Sequence, residues 1–159
     1  DVGYGQLDWK IRSDERVVVM ERTNIRYVTP DDLGEPLDLS VIDVSFISLK
    51  IVLPTIKTLL KPTGQVLCLI KPQFEAGKDN VGKGGIVRDP KTHLAVLEQT
   101  AKMATEIGFI VKDASFSPIT GGEGNIEFLF HLVNRKDGEQ LEPYTNFEAL
   151  VKAAHSDLK

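Results

Sequence analysis

The chain has 159 residues, of which 42% are hydrophobic and 26% are charged, a balance that predicts one soluble globular domain with its own core. The formal net charge of -4 argues against a module that binds nucleic acid over its whole surface, so such a role requires a local basic patch or a separate basic domain. The single cysteine, Cys68, can form no internal disulfide. This favours a reducing, cytoplasmic setting, and we expect the thiol to be a buried hydrophobe.

Strand and helix patterns alternate along the chain, and short turn-rich segments separate them. This alternation predicts an α/β fold with a mostly parallel sheet, in which the last two strands form an antiparallel pair at one edge. In chain order, the patterns predict a helix at 6–12, a buried strand at 16–20, a helix start at Thr29-Pro30, a strand at 39–45, a helix capped by Ser48 and ended by 62–64, a strand at 65–70, a helix from Asp89-Pro90 to Ile107, strands at 109–118 and 126–133, and a terminal helix capped by Asn146.

Ionisable residues stand where the predicted strands reach one edge of the sheet. Asp43 lies near the end of the strand at 39–45, and Lys71 directly follows the strand at 65–70. Because the last strand is antiparallel, its beginning, which carries Glu127, lies on the same edge. Ligands of open parallel sheets bind beyond the carboxyl ends of the strands. The topology therefore predicts that Asp43, Lys71 and Glu127 converge on one rim.

A lysine between two carboxylates has a specific chemical use. Burial favours the neutral amine, whereas neighbouring carboxylates oppose that shift and fix the position of the nitrogen. Such a group can orient a substrate hydroxyl and accept its proton during the transfer of a methyl group. The alternative is a structural ion-pair network, which also perturbs ionisation. Spacing alone leaves both interpretations open.

Three segments, IDVSFISL (42–49), LIKPQFE (69–75) and SPITGGEGNIEFL (117–129), resemble the hemolysin-A-like (TlyA) methyltransferases, which belong to the FtsJ/RrmJ-type ribosomal RNA 2′-O-methyltransferases. The opening DVGYGQLDWKIR and the loop GKGGIVRDPKTH match that group as well. The resemblance implies a Rossmann-like, S-adenosylmethionine-dependent methyltransferase domain over residues 1–133, followed by a tail over residues 134–159 that contains the terminal helix.

The resemblance also implies roles for individual residues. The family has a catalytic Lys-Asp-Lys-Glu set, which maps onto Asp43, Lys71 and Glu127, while its first lysine has no counterpart in this chain. S-adenosylmethionine would contact Asp1 at its ribose hydroxyls, Asn24 near its adenine, and Asp43 and Phe46 at the pocket wall. The implied partner is ribosomal RNA or a ribosomal subunit.

Basic and histidine side chains outside that set leave more than one interpretation. Lys78, Lys83 and Arg88 lie in a long glycine-rich loop, where they would contact RNA phosphates or would simply be solvated. His93, His131 and His155 have no metal-site spacing, so we expect structural or surface roles and no metal.

Several family features are expected to precede Asp1 and are not in this sequence. They are the glycine-rich first motif, the first strand of the sheet and the basic S4 RNA-binding domain. We therefore expect an N-terminally truncated fragment that is inactive alone. The competing functions are a non-catalytic RNA-binding or ribosome-assembly module on the same fold and a hemolysin-like protein. The last is disfavoured because no membrane-length segment and no strongly basic amphipathic helix is found.

Overall fold

The structure is a computed structural model, and it describes residues 1–136 and 140–158. Short 3-10 turns at Ile25–Tyr27, Lys78–Asn80 and Gly122–Gly124 accompany the regular elements. In chain order those elements are α1 (Trp9–Arg12), α2 (Pro30–Leu33), β1 (Leu37–Ile42), α3 (Leu49–Leu59), β2 (Leu60–Ile70), α4 (Pro72–Glu75), α5 (Pro90–Ile107), β3 (Phe109–Phe116), β4 (Phe128–Asn134) and α6 (Phe147–Asp157).

The four strands form one mixed sheet in the order β1-β2-β4-β3. β1 pairs with β2 in parallel, and β4 is antiparallel to both β2 and β3, which confirms the α/β class. The predicted antiparallel pair of the last two strands lies at one edge of the sheet, where β3 is the outermost strand and β4 lies between β2 and β3. An interior position leaves no unpaired ladder groups along β4, which suits a strand made mostly of apolar residues.

Three helices cover one face of the sheet. α5 packs against α3, α6 and β3, and α6 also packs against β3. Alternate residues of a strand face the same side, and the buried set on β2 and β4 follows that period of two. This set comprises Val66, Cys68, Ile70, Phe128, Phe130 and Leu132. Cys68 is therefore buried, as the sequence predicted.

The opposite face is open beside β1. Leu39 and Val41 of β1 are exposed, and so is Leu67 of β2. These three are large hydrophobic side chains that stay exposed to solvent. The helical layer therefore gives this sheet one covered and one solvent-facing side.

The predicted buried strand at 16–20 is wrong. This segment is irregular, and Val18 is 86% exposed. Local β-propensity does not form a strand without a neighbour to accept and donate ladder hydrogen bonds, and the described residues offer this segment none. Its backbone instead meets the first residues, where the backbone nitrogen of Asp1 donates to the carbonyl oxygen of Met20 over 2.9 Å.

The ends of α5 and the start of α3 follow their local sequence signals, but the end of α3 does not. The Asp89 carboxylate accepts a hydrogen bond from the Lys91 amide at the start of α5, and Gly108 ends that helix at a φ of 109°. Ser48 caps α3 as predicted. The segment 62–64, predicted to end that helix, instead lies inside β2, which begins directly at Leu60. The register between Leu37 and Leu39 shifts at this place, so the extra residues bulge out of the ladder.

The terminal helix exists where the sequence places it, after Asn146. It joins the core through Phe147, Leu150, Val151 and Ala154. The predicted tail at 134–159 also includes residues 137–139 and 159, which lie outside the described residues. No helix in the described part of the chain has the length and apolarity needed to cross a membrane.

Candidate active site

Lys71 stands at the carboxyl end of β2, where the strand stops and α4 begins. Its Nζ lies 2.6 Å from Oδ1 of Asp43 and donates a hydrogen bond to Oγ of Ser45 over 3.1 Å. Only 13% of the Lys71 side chain is exposed, against 68% for Asp43. The amine is thus drawn down against the end of the sheet, while its carboxylate partner faces solvent. β1 ends at Ile42, so Asp43 and Ser45 lie in the turn and not inside the predicted strand.

Glu127 lies just before β4 and is 7% exposed. Ile70 and Phe128 form the final β2–β4 pair, so Lys71 and Glu127 adjoin this pair at the same rim. The Glu127 carboxylate accepts a hydrogen bond from Nε2 of Gln73 over 3.1 Å. Within the described residues, no ion pair within 4 Å joins Glu127 to Lys71. The structure therefore brings Asp43 and Lys71 into contact and places Glu127 beside them, bonded to a different partner.

A glycine allows Glu127 to take this position. A Cβ atom at Gly121 would lie 2.1 Å from Oε1 of Glu127, which is far inside van der Waals contact. Gly122 has open space instead, with nothing within 4 Å of the corresponding position. The first glycine of the GGEG segment is thus required for close approach, and the second is not.

The long glycine-rich loop after α4 is attached to the turn that precedes β4. Asn125 is 2% exposed, and its Oδ1 accepts a hydrogen bond from the Val87 amide over 3.0 Å. Its Nδ2 donates to the carbonyl oxygens of Gly85 and Gly122. The loop also closes on itself through a bridge between Gly82 and Ile86. The loop is therefore a hairpin-like segment, and hydrogen bonds to the side-chain amide of Asn125 fix its position.

The basic residues of that loop point to solvent. Lys78, Lys83 and Arg88 are exposed. A long hydrogen bond of 3.5 Å runs from the Arg88 guanidinium to the Lys83 carbonyl oxygen. The three cations are thus accessible on a loop anchored two residues from Glu127 through Asn125.

Phe46 combines exposure with an uncommon backbone. Its φ is +61°, in the left-handed region that favours glycine, and 90% of its surface is exposed. Its ring centroid lies 4.8 Å from that of Phe74 at 51°. A bulky residue held in this conformation stores strain of order 1 kcal/mol or more, and such strain concentrates at functional sites. Two aromatic rings are therefore in contact next to Ser45.

The residues expected to hold a nucleoside cofactor do not line one common cleft. Asp1 lines a cleft of about 230 Å³ together with Leu7 and the segment 18–21. One oxygen of its carboxylate accepts a hydrogen bond from the Gly3 amide over 2.7 Å. Asn24 caps a 3-10 turn by accepting from the Arg26 amide over 3.0 Å. The lining of this cleft does not include Asn24, Asp43 or Phe46.

Glu75 connects two segments of this rim by hydrogen bonds, a role that the sequence did not indicate. Its carboxylate accepts hydrogen bonds from the Ser48 hydroxyl over 2.7 Å and from the Leu49 amide over 2.9 Å. Burial raises the pKa of Glu75, and these two hydrogen bonds oppose that rise. The carboxylate therefore links α4 to the start of α3, which fixes the segment between Lys71 and Glu75 against the turn that follows β1.

Two of the three histidines meet, although they are 62 positions apart. Nδ1 of His93 lies 2.8 Å from Nε2 of His155, and Nε2 of His93 lies 3.0 Å from the Val87 carbonyl oxygen. No sequence signal of metal spacing or motif accompanies this pair. Among the described residues, no group of three His, Cys, Asp or Glu side chains is arranged to hold a metal ion.

Lys71, Asp43 and Ser45 thus meet at the end of a parallel strand pair on a mixed α/β sheet. Residues 1–134 match the family model of the FtsJ-like methyltransferases, and the chain belongs to this family.

Relatives and solved structures agree with this membership. YqxC of Bacillus subtilis is 53% identical, over 100% of this chain and 58% of YqxC. The 16S/23S rRNA (cytidine-2′-O)-methyltransferase TlyA of Mycobacterium tuberculosis is 44% identical over 86% of this chain and 51% of TlyA. Hemolysin A of Brachyspira hyodysenteriae is 37% identical over 84% of this chain and 56% of its own length. A solved structure from Streptococcus thermophilus matches with a TM-score of 0.93 and 47% identity, over 99% of this chain and 57% of that one. The chain thus spans a little more than half the length of these relatives.

Proposed function

We propose that the full-length protein transfers a methyl group from S-adenosylmethionine to a ribose 2′-hydroxyl of ribosomal RNA, with Lys71 at the reacting oxygen. Family membership supports the reaction class, and the name of the Mycobacterium relative supports the substrate. The single observation that carries the proposal is the position of the Lys71 amine, which is mostly buried and held by Asp43 and Ser45.

Lys71 has one direction left for a substrate. Its nitrogen is tetrahedral, and Asp43 and Ser45 occupy two of the three positions beyond its own side chain. The third position carries an N–H in the ammonium form, which orients a hydroxyl oxygen, or a lone pair in the amine form, which accepts the hydroxyl proton. In both forms Asp43 fixes where the nitrogen stands. Glu127 lies at the same rim but is bonded to Gln73, so we propose that it acts on the site without a direct ion pair to Lys71.

The side chains proposed to hold the cofactor suit its chemistry, although the cleft lined by Asp1 does not include Asn24, Asp43 or Phe46. The exposed carboxylates of Asp1 and Asp43 suit ribose hydroxyls and a sulfonium cation, and the exposed ring of Phe46 offers an aromatic surface. We propose that these residues hold the cofactor, with Asn24 near its base. S-adenosylmethionine, when bound, supplies an electrophilic methyl group. Lys71 then needs only to align the hydroxyl and to hold or take its proton.

The anchored loop is proposed to bind the RNA backbone. Lys78, Lys83 and Arg88 are exposed, and cations on an otherwise acidic chain give a local attraction for phosphates. Replacing one of these cations with glutamine should weaken RNA binding and reduce the salt dependence of that binding by about one counterion. Ribosomal RNA as substrate is also the reason to expect a cytoplasmic enzyme.

The test measures labelled methyl transfer from S-adenosylmethionine to ribosomal subunits and free ribosomal RNA by the full-length protein. Lys71→Ala should abolish incorporation, whereas Lys102→Ala, an exposed lysine of α5, should leave it unchanged. Lys71→Arg separates the two roles of the amine, because arginine orients a hydroxyl but does not accept its proton. Incorporation that survives Lys71→Ala would overturn the mechanism and keep the reaction. A folded protein that binds the cofactor and methylates no RNA would favour the non-catalytic RNA-binding module.

The hemolysin-like alternative is supported by names alone: that of the Brachyspira relative, and the description of the solved Streptococcus thermophilus structure as a putative hemolysin. Leakage of a dye from liposomes by the purified full-length protein would support it. The division into a domain at 1–133 and a tail at 134–159, and the inactivity of residues 1–159 alone, stay predictions.

A further inference from the structure

Both backbone polar groups of Val87 are held by side chains. The Val87 amide donates to Oδ1 of Asn125 over 3.0 Å, and its carbonyl oxygen lies 3.0 Å from Nε2 of His93. Val87 is 2% exposed, so neither group has water as a ready alternative partner. Val87 immediately precedes Arg88, so these two hydrogen bonds fix the end of the basic loop, the loop that carries Lys78, Lys83 and Arg88.

These contacts determine how the protons of two imidazole rings are arranged. A carbonyl oxygen only accepts, so Nε2 of His93 must carry its proton and donate to Val87. In a neutral ring Nδ1 is then the acceptor, and Nε2 of His155 must donate to it across the 2.8 Å contact. His155 thereby fixes the tautomer that His93 needs for Val87.

The neutral state of His93 follows from its surroundings. The ring is fully buried and packs edge-on against Phe128 at a centroid distance of 5.6 Å. Burial, and after it the neighbouring His155, lower the pKa of His93 to about 4, although the Val87 carbonyl oxygen and Asp89 act in the opposite direction.

We propose that His155, His93 and Asn125 are positioning residues through which the C-terminal helix α6 holds the basic loop in the shape that receives RNA. The role of the loop rests on the proposed function, whereas the coupling of α6 to the loop does not. α6 lies beyond residue 134, where the match to the FtsJ-like family model ends. A segment outside the family match is therefore connected by three hydrogen bonds to the turn that precedes Glu127.

The experiment compares two substitutions of His155 in the full-length protein. His155→Phe keeps the ring volume that packs against His93 but removes the donor, whereas His155→Gln keeps an N–H donor near the place of Nε2. Lys152→Ala, on the exposed side of α6, is the matched control. Hydrogen exchange of the amides in 81–88, measured without RNA, reports the loop. Nitrogen NMR of the His93 ring reports its tautomer.

The expected result is faster exchange of the loop amides in His155→Phe by about fivefold, the equivalent of one net hydrogen bond, with α6 amides unchanged. His93 should show a mixture of tautomers in this variant, and His155→Gln should match the unsubstituted protein in both measurements. Equal exchange in all variants would overturn the proposal. Faster exchange in both His155 variants, or in α6 itself, would also overturn it, because packing and not the donor would then be responsible.

Kinetic measurements test whether the loop binds RNA, separately from whether α6 is coupled to the loop. The KM for RNA should rise several-fold in His155→Phe, while kcat and cofactor binding stay unchanged. If the full-length protein has no methyltransferase activity but His155→Phe still speeds hydrogen exchange of the loop amides, the coupling stands and the proposed function is refuted. An unchanged KM with a loosened loop would instead refute the role of the loop in binding RNA.

Discussion

Nε2 of Gln73 donates a hydrogen bond to Oε1 of Glu127 over 3.1 Å, which links the turn after β2 to the residue before β4. Oε1 of Gln73 is buried and has no hydrogen-bond partner among the described residues. The orientation of this amide is therefore set by the carboxylate, since the reversed orientation would place two oxygens against each other. Gln73 thus determines where the Glu127 charge stands relative to Lys71.

Removing this donor should lower methyl transfer by the full-length protein. Gln73→Leu keeps the shape but loses a hydrogen bond to a charged group, worth about 1.5–3 kcal/mol, so we expect a loss of roughly tenfold or more. Gln73→Glu should lose more, because two carboxylates then face each other and one must take up a proton. Gln99→Leu, an exposed glutamine of α5, is the control. Equal activity of all three proteins would show that Glu127 needs no such support.

Gly121 and Gly122 form a matched pair for testing the approach of Glu127. Gly121→Ala places a methyl group 2.1 Å from the present position of Oε1 of Glu127, so the carboxylate must move. Gly122→Ala meets nothing within 4 Å. We expect a large fall in kcat for the first variant and little change for the second. Urea denaturation should show whether Gly121→Ala also loses stability, by about 1–3 kcal/mol for overpacking of this kind. Similar kcat values in the two variants would contradict a role for the position of Glu127.

Stability should fall in mildly acidic solution because of His93. Burial lowers its folded pKa to about 4, below the ordinary value of 6.5. Between these values the unfolded chain binds a proton that the folded chain does not, so stability is full above about 6.5 and is lost as the pH falls towards 4. The loss is at most about 3 kcal/mol.

Chemical denaturation at a series of pH values measures this loss. His93→Asn should flatten the curve between pH 6.5 and 4, whereas Gln99→Asn, at an exposed position of the same helix that carries no titrating group, should leave its shape unchanged. A curve with the same slope in the His93 variant would assign the acid sensitivity to other groups.

Cys68 should be inert in the folded protein. It lies at 0% exposure between β1 and β4, and burial raises the pKa of its thiol to about 12. The thiolate is the reactive species, so a thiol reagent at pH 8 should label the chain only after denaturation. Ser156→Cys, exposed on α6, should add one fast-reacting thiol. Rapid labelling of the unsubstituted native protein would contradict the position of β2 in the sheet.

Strand ends were enough to predict which charged residues reach the rim. Asp43 and Lys71 follow neighbouring parallel strands, and no long-range information beyond that topology is needed to bring them together. The bond from Gln73 to Glu127 spans 54 positions, and the His93–His155 pair spans 62. Neither has a local periodicity or motif, because each depends on how two distant segments pack.

The segment RVVVM shows where a prediction from local sequence fails. Its β-branched residues favour an extended chain, and the sequence alone predicts a buried strand there. A strand is completed by its neighbours, however, and Val18 remains exposed among the described residues. Conversely, the interior place of β4 could not be read from its sequence, because the same apolar run is compatible with either place in the sheet order.

The insertion of β4 between β2 and β3 has a consequence for the order in which a newly made chain can assemble. A chain synthesised as far as Arg88 already holds Asp43, Ser45 and Lys71, and β1 can pair with β2. It has no strand to bring Glu127 to them. That strand also closes the sheet, since β3 has no partner among the described strands other than β4. Synthesis therefore completes the sheet and the candidate catalytic set in one late step, and an incomplete chain would have neither.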